Sequence, residues 1–220
     1  MKFGILTTGL GLVMAIGFAS GVKAENVSQV KQLLETKNCS KCDLTGAQLG
    51  GINLSGADLS GANLSGANLN GANLNEAKLN AVNLTQAKLQ GASLIGAKMH
   101  GANLEGADLT RANLSLAGLV IASLKNTNLT SANLVGANLE SANLAGANLR
   151  NARQSVSNLS NVSLRGGSLS GIDVLGVNLR DANLTGANLT GANLNGSDLT
   201  GANLKDANMA NVDLKNASLP

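Results

Sequence analysis

Gly61-Ala62-Asn63-Leu64-Ser65-Gly66-Ala67-Asn68-Leu69-Asn70-Gly71 repeats itself every five residues, and from Leu44 to Leu219 the phase never slips. Of the 36 positions in the leucine phase, 32 hold Leu; the exceptions are Met99, Gln154, Val174 and Met209. Two residues before each lies a small side chain, commonly Ala (Ala57, Ala62, Ala67, Ala72). Asn or Asp often stands between them, and Gly often follows two after the Leu. An α-helix turns about 100° per residue, so a spacing of five would march the leucines around every side. A strand instead turns residues i and i−2 to one face and i−1 to the other. Ala62 and Leu64 then face inward, Asn63 faces out, and Ser65-Gly66 forms a corner whose backbone angles suit Gly. One such unit cannot bury its Leu alone, whereas coiling and stacking many of them gives a continuous core. Leu and Ala fill that interior and leave no room for a ligand.

Laid out in this way, the A-(N/D)-L-x-G pattern over residues 44–219 resembles the pentapeptide repeat proteins. The resemblance implies an all-β fold, a right-handed quadrilateral β-helix with four units per coil. Periodicity alone does not choose four sides over three. Nine coils follow, and at a strand spacing of ~4.8 Å the rod is about 40 Å long.

Residues 1–24 read as a secretory signal peptide: Lys2, an uncharged apolar run from Gly4 to Phe18, and small residues at Val22-Lys23-Ala24. The run is short for a membrane span, and an uncleaved anchor is the alternative. Without Lys2 and Lys23 the chain carries 14 basic and 13 acidic residues, and with Phe3 and Phe18 gone it has no aromatics. A near-neutral surface without aromatics gives no electrostatic or stacking case for nucleic acid. Residues 25–42 form the next segment. In Asn26–Lys37 the spacing of Val27, Val30, Leu33 and Leu34 predicts a short helix capping the first coil. Cys39 and Cys42 then fall in a Leu and an Ala phase, and both should point inward. A structural disulfide suits an exported chain with an even cysteine count. Two buried thiols, or a redox or metal site, are the alternatives.

The β-helix is expected over residues 43–220, less regular at 151–178, where Arg153, Gln154, Val156, Gly166-Gly167 and Val174 break the pattern. Gln154 occupies a core phase and needs a partner or a local bulge. No capping segment is evident after the last units, so Leu204, Met209, Leu214 and Leu219 would be exposed at an open end that could pair two chains as a homodimer.

On a four-sided coil, outward residues stack in columns. Asp58 then lies under Lys78, Lys88 under Asp108 and Glu105 under Lys125, while Asn63 with Asn83 and Asn183 with Asn203 could form amide ladders. Large apolar residues stand at outward corner positions: Ile95, Leu116, Val120, Ile121, Val135, Val156 and Leu175. Five fall on one side and two on the next, flanked by His100 and Glu140. Such a cluster marks a contact surface for a partner or a second copy; scattered substitution in degenerate repeats is the plainer reading.

Catalytic chemistry has little to work with. His100 is the only His, the cysteines lack further metal ligands, and no nucleotide motif is present. We expect no enzyme activity, no cofactor and no membrane partner once the leader is removed. The start from Leu33 to Leu44 resembles exported cyanobacterial members of the family and plant thylakoid-lumen relatives, which implies the periplasm or the thylakoid lumen. The expected role is a non-catalytic exported scaffold binding an unidentified protein. Two alternatives are a DNA-mimicking gyrase binder, as in the quinolone-resistance members, and a redox-responsive protein acting through Cys39 and Cys42.

Overall fold

The computed structural model describes residues 24–154 and 157–220, and all but the last residue of the expected leader lies outside them. Parallel bridges join each outward residue to the one 20 positions later, from Asn38↔Asp58 to Asp198↔Ser218. Four units therefore close one coil, and the chain is a quadrilateral β-solenoid. The inward positions are buried along its length, including Leu44 through Leu199 in the leucine phase and their Ala partners.

The backbone explains why the unit is five residues long. The carbonyl of Leu44 accepts the N–H of Ala47 at 3.0 Å, closing a four-residue turn, and Gly46 inside it has φ +67°. A positive φ at the third position alone is the signature of a type II turn, which is why Gly recurs there. The N–H groups of Leu44 and Gly46 reach the next coil, at Asn63 O (2.7 Å) and Ser65 O (2.9 Å), and that of Asn63 reaches back to Cys42 O (2.8 Å). Four of the five amides are thereby bonded to backbone. In most units the fifth, on the first corner residue, bonds to a side chain instead: Asn53 Oδ1 accepts from Ser55 N–H and Asn113 Oδ1 from Ser115 N–H, each at 3.1 Å. The N–H groups of Asn80, Lys125, Arg165 and Ser170, whose units carry Lys78, Ser123, Ser163 and Ser168, have no acceptor among the described residues. Asn or Asp recurs at the outward position because it supplies this acceptor. Units with Lys88, Ser93 and Lys98 lack it. There the acceptor comes from the coil below, as Asn70, Asn75 and Asn80 take the N–H groups of Gln90 (2.9 Å), Ile95 (3.0 Å) and His100 (3.2 Å).

The small inward residue is constrained by the same turn. Its N–H lies 2.9–3.1 Å from the carbonyl three residues back when it is Ala, and 3.1–3.3 Å when it is Ile or Val: 3.3 Å at Ile52, Val162 and Val212, 3.2 Å at Val82 and Val177, and 3.1 Å at Ile172. A branched Cβ crowds the amide and holds it off.

Helix α1, Ala24–Thr36, closes the first coil. Val30 and Leu33 are buried and join the coil interior through Cys39, Cys42 and Leu44. Lys37 (φ +54°) ends the helix in a left-handed turn, its N–H bonded to Leu33 O at 2.9 Å. Gln29 Oε1 accepts the N–H of Asp43 at 2.5 Å, and Gln32 Nε2 donates to Asn38 O at 2.9 Å. The helix thus satisfies edge groups of the first coil as well as covering its apolar end.

Several expectations change. The Asp58–Lys78 pair is present at 3.3 Å and Asn83 Nδ2 donates to Asn63 Oδ1 at 3.0 Å. Lys88 and Asp108 are stacked but unpaired, because Asp108 Oδ2 accepts from Gln90 Nε2 at 2.6 Å. No ion pair joins Glu105 to Lys125, nor any hydrogen bond Asn183 to Asn203, among the described residues. Gln154 is buried with neither a partner for its amide nor a bulge: the bridge Arg153↔Asp173 keeps the 20-residue spacing. The strain is taken up between coils. Asn151 N–H to Ser170 O, Asp173 N–H to Ala152 O and Asn178 N–H to Ser157 O are each 3.4 Å, against 2.9 Å for Asn113 N–H to Ala92 O. Leu204, Met209 and Leu214 in the last described coil are half-buried, and Leu219 is 55% exposed.

Two outcomes follow. Gln154→Leu removes an orphaned amide from a dry core and should raise stability by about 1–3 kcal/mol, read from urea or thermal unfolding; an unchanged or lower midpoint contradicts this account. Asp58 is held below its ordinary carboxylate value by hydrogen bonds from the Ser60 side chain and N–H, and by Lys78. A depressed folded value contributes stability above the ordinary range and loses it as pH falls through the folded value. Asp58→Asn keeps the Oδ1 acceptor without the titration, so its midpoint should fall less steeply than wild type below about pH 4.

Candidate interaction surface

The coil geometry places the outward apolar residues on two adjacent corners. Ile95 and Val135 share one corner column through the bridges Ser93↔Asn113 and Asn113↔Asn133, and Leu175 continues it two coils further on. Leu116 stands on the same corner, while Val120 and Ile121 occupy the next. Leu116 is 68% exposed, Ile121 54% and Leu175 48%, and Ile95, Val120 and Val135 are half-buried. Val156 lies outside the described residues. Exposed His100 and half-buried Glu140 share the second corner column with Val120.

The backbone adds a feature that composition does not reveal. Leu116 and Ile121 sit at the turn position with positive φ, +60° and +53°. Other non-Gly residues there are polar or small, such as Asn126, Ser131, Ser141, Asn151 and Asp181. A left-handed conformation costs an L-residue roughly 1–2 kcal/mol, and a β-branched residue such as Ile is among those least suited to it. These two side chains are thus held at exposed positions against local preference. Leu116 leans over the following coil: a Cβ at Gly136 would stand 2.8 Å from Leu116 Cδ2. Gly136 leaves room for the leucine to continue the corner.

Other groups offer less. The Sγ atoms of Cys39 and Cys42 are 2.05 Å apart, across the first turn of the rod, where Cys42 N–H bonds to Cys39 O at 3.2 Å. Both cysteines are buried against α1. A polar cleft elsewhere is lined by Asn70, Gln86, Lys88, Gln90 and Asp108. Burial raises the Asp108 carboxyl, but bonds from the Thr110 side chain, Gln90 and the Thr110 N–H outweigh it and hold the group below its ordinary value. That carboxylate is already engaged. Among the described residues no cluster of His, Cys, Asp and Glu is placed to hold a metal, and no helix is long and apolar enough to cross a membrane.

The family model for pentapeptide repeats matches in 8 copies, over residues 38–76, 77–115, 122–153, 157–196 and 182–219. The chain belongs to the pentapeptide repeat family. Its fold is accordingly the right-handed quadrilateral β-helix expected. The matched segments omit 116–121 and 154–156, the stretches holding the strained apolar corner and the buried Gln154. Among solved structures, the chain is similar to HetL, a pentapeptide repeat protein involved in heterocyst differentiation regulation from the cyanobacterium Nostoc sp. strain PCC 7120. Identity is 31% over 86% of this chain and 94% of HetL, with a TM-score of 0.58. Rfr23 from the cyanobacterium Cyanothece 51142 is 35% identical over 58% of this chain and 91% of its own, TM-score 0.43. QnrB1, a plasmid-mediated fluoroquinolone resistance protein, is 19% identical over 78% of this chain and 84% of its own, with a TM-score of 0.53, and shares the fold. No curated protein matches the sequence. None of the matches indicates a catalytic family.

If the apolar corner is held against backbone preference, replacing Ile121 with a residue that tolerates positive φ should not weaken the fold. Ile121→Asn is expected to leave the unfolding midpoint unchanged or to stabilise by up to about 1 kcal/mol. A clear destabilisation would show that Ile121 serves the fold.

Proposed function

We propose that this pentapeptide repeat rod is a non-catalytic, exported scaffold that binds another protein along the two adjacent corners bearing Ile95, Leu116, Val120, Ile121, Val135 and Leu175. The observation that carries the reading is Leu116 and Ile121, large, exposed and held at positive φ. Strain without a folding benefit points to a functional surface. Export rests on the leader expected in residues 1–24, with the periplasm or thylakoid lumen as destination. An oxidising compartment suits a Cys39–Cys42 bridge pinning the first turn beneath α1, a structural rather than a redox role for two buried cysteines. The DNA-mimicking alternative is not favoured. One outward column stacks Lys78 on Lys98, and basic and acidic groups are nearly balanced over the mature chain.

The test uses the full chain with Val120, Ile121 and Val135 each changed to Ser. Chemical cross-linking and affinity capture from the native compartment should recover a protein bound to wild type and lost from the variant, with both unfolding at similar temperatures. Equal capture by both proteins would remove the corner from consideration. Sedimentation of the same pair addresses self-association. A dimer that survives the substitutions is to be sought at the far coil, where Leu204, Met209, Leu214 and Leu219 lie, and one that disappears with them places a second copy on the corner.

A further inference from the structure

We infer that the notch over Gly118 accepts a carboxylate from an acidic segment, apolar on its flanks, of the protein partner; this rests on the corner reading above. Gly118 occupies the outward position where the repeats usually carry Asn or Asp. It is bridged to Lys98 in the coil below and to Asn138 in the coil above. Nothing lies within 4 Å of where its Cβ would be, so the place of the missing side chain is open.

The neighbouring unit shows what a side chain there does. Asn113 Oδ1 accepts from Ser115 N–H at 3.1 Å and from Asn133 Nδ2, in the coil above, also at 3.1 Å. Glycine at 118 leaves the corresponding donors without an acceptor. The N–H of Val120 has no hydrogen-bond partner among the described residues. Asn138 spends its Oδ1 on Glu140 N–H (3.1 Å) and Asn158 Nδ2 (3.3 Å), and its own Nδ2 donates to nothing described. Lys98, exposed below the notch, makes no ion pair among the described residues, whereas Lys78 beneath it is paired with Asp58 at 3.3 Å.

The Val120 N–H, the Asn138 Nδ2 and, in the coil below, Lys98 thus neighbour a vacant acceptor position, between the corners that carry Leu116 and Ile121. A carboxylate placed there would take the Val120 and Asn138 donors as the repeat's own Asn does elsewhere, with Lys98 supplying charge complementarity. The strained apolar side chains on either side fit apolar residues flanking that acid. A free small carboxylate would gain only the polar contacts on an open surface, which is why the occupant is a protein segment. Glu140, above Val120 on the same corner, opposes a long run of negative charge.

The experiment selects peptides from a random display library on the full chain, then measures the winners against variants. Gly118→Asn restores the consensus acceptor and fills the notch, and its unfolding midpoint should equal or exceed that of wild type. Selected peptides are expected to pair Asp or Glu with Leu, Ile or Phe, to lose about tenfold or more in affinity for Gly118→Asn, and to weaken on Lys98→Gln. Failure to select any peptide, winners without acidic residues, or equal binding to Gly118→Asn would each overturn the inference. Winners that lose binding to Leu116→Ser but keep it for Gly118→Asn would leave the corner reading standing and sink this one alone.

Discussion

Every amide in a stacked coil needs an acceptor, and a five-residue unit supplies one from backbone for four of its five. The remaining N–H, on the first corner residue, must be met by a side chain or by water. Much of the sequence follows from that deficit. The outward Asn or Asp is an acceptor first and a surface residue second. Gly is favoured where the type II turn demands positive φ. Ala is favoured where a branched side chain would loosen the turn, as the longer bonds at Ile52 and Val162 show. Leu fills what is left, and burial of its side chain supplies the non-directional driving force.

How much could be read in advance depended on whether a feature was periodic. The inward Leu and Ala are dictated by alternation along a strand, and their burial was legible from spacing alone. The number of sides was not, since three or four units of five residues bury the same face; the resemblance to pentapeptide repeats supplied it. Pairwise contacts between columns were only partly legible. A 20-residue stack brings Lys88 under Asp108 correctly, but it cannot show that Gln90 takes the carboxylate first. The relay from Asn70, Asn75 and Asn80 to the next coil was visible in principle, because each stands 20 residues before a corner whose own unit lacks an acceptor. The apolar corner was legible because bulky residues interrupt a small polar series. Its strain was not, because φ is a property of the turn and not of the residue.

The first coil has edge groups and an apolar interior to cover, and one element covers both. Helix α1 brings Val30 and Leu33 to the interior and Gln29 and Gln32 to the edge, so both deficits are met by one amphipathic element. Cys39 and Cys42 span the turn directly beneath it. A crosslink across so short a loop adds little through chain entropy. Its place at the junction of helix and coil is better explained by fixing the turn on which the helix rests.

Two departures from the repeat, at Gln154 and at Gly118, illustrate opposite kinds of exception. Gln154 places an amide in the core with nothing to bond, and the neighbouring ladder stretches to 3.4 Å around it. No group is aimed outward by the change, so it reads as a cost to the fold alone. Gly118 also removes an interaction the repeat relies on, yet it does so at an open outward position, between two side chains held out in disfavoured backbone conformations. A local rule broken together with its neighbours, on one face and in one coil, is the pattern expected where a surface answers to a partner rather than to the fold. The core rule broken at Gln154 has no such company.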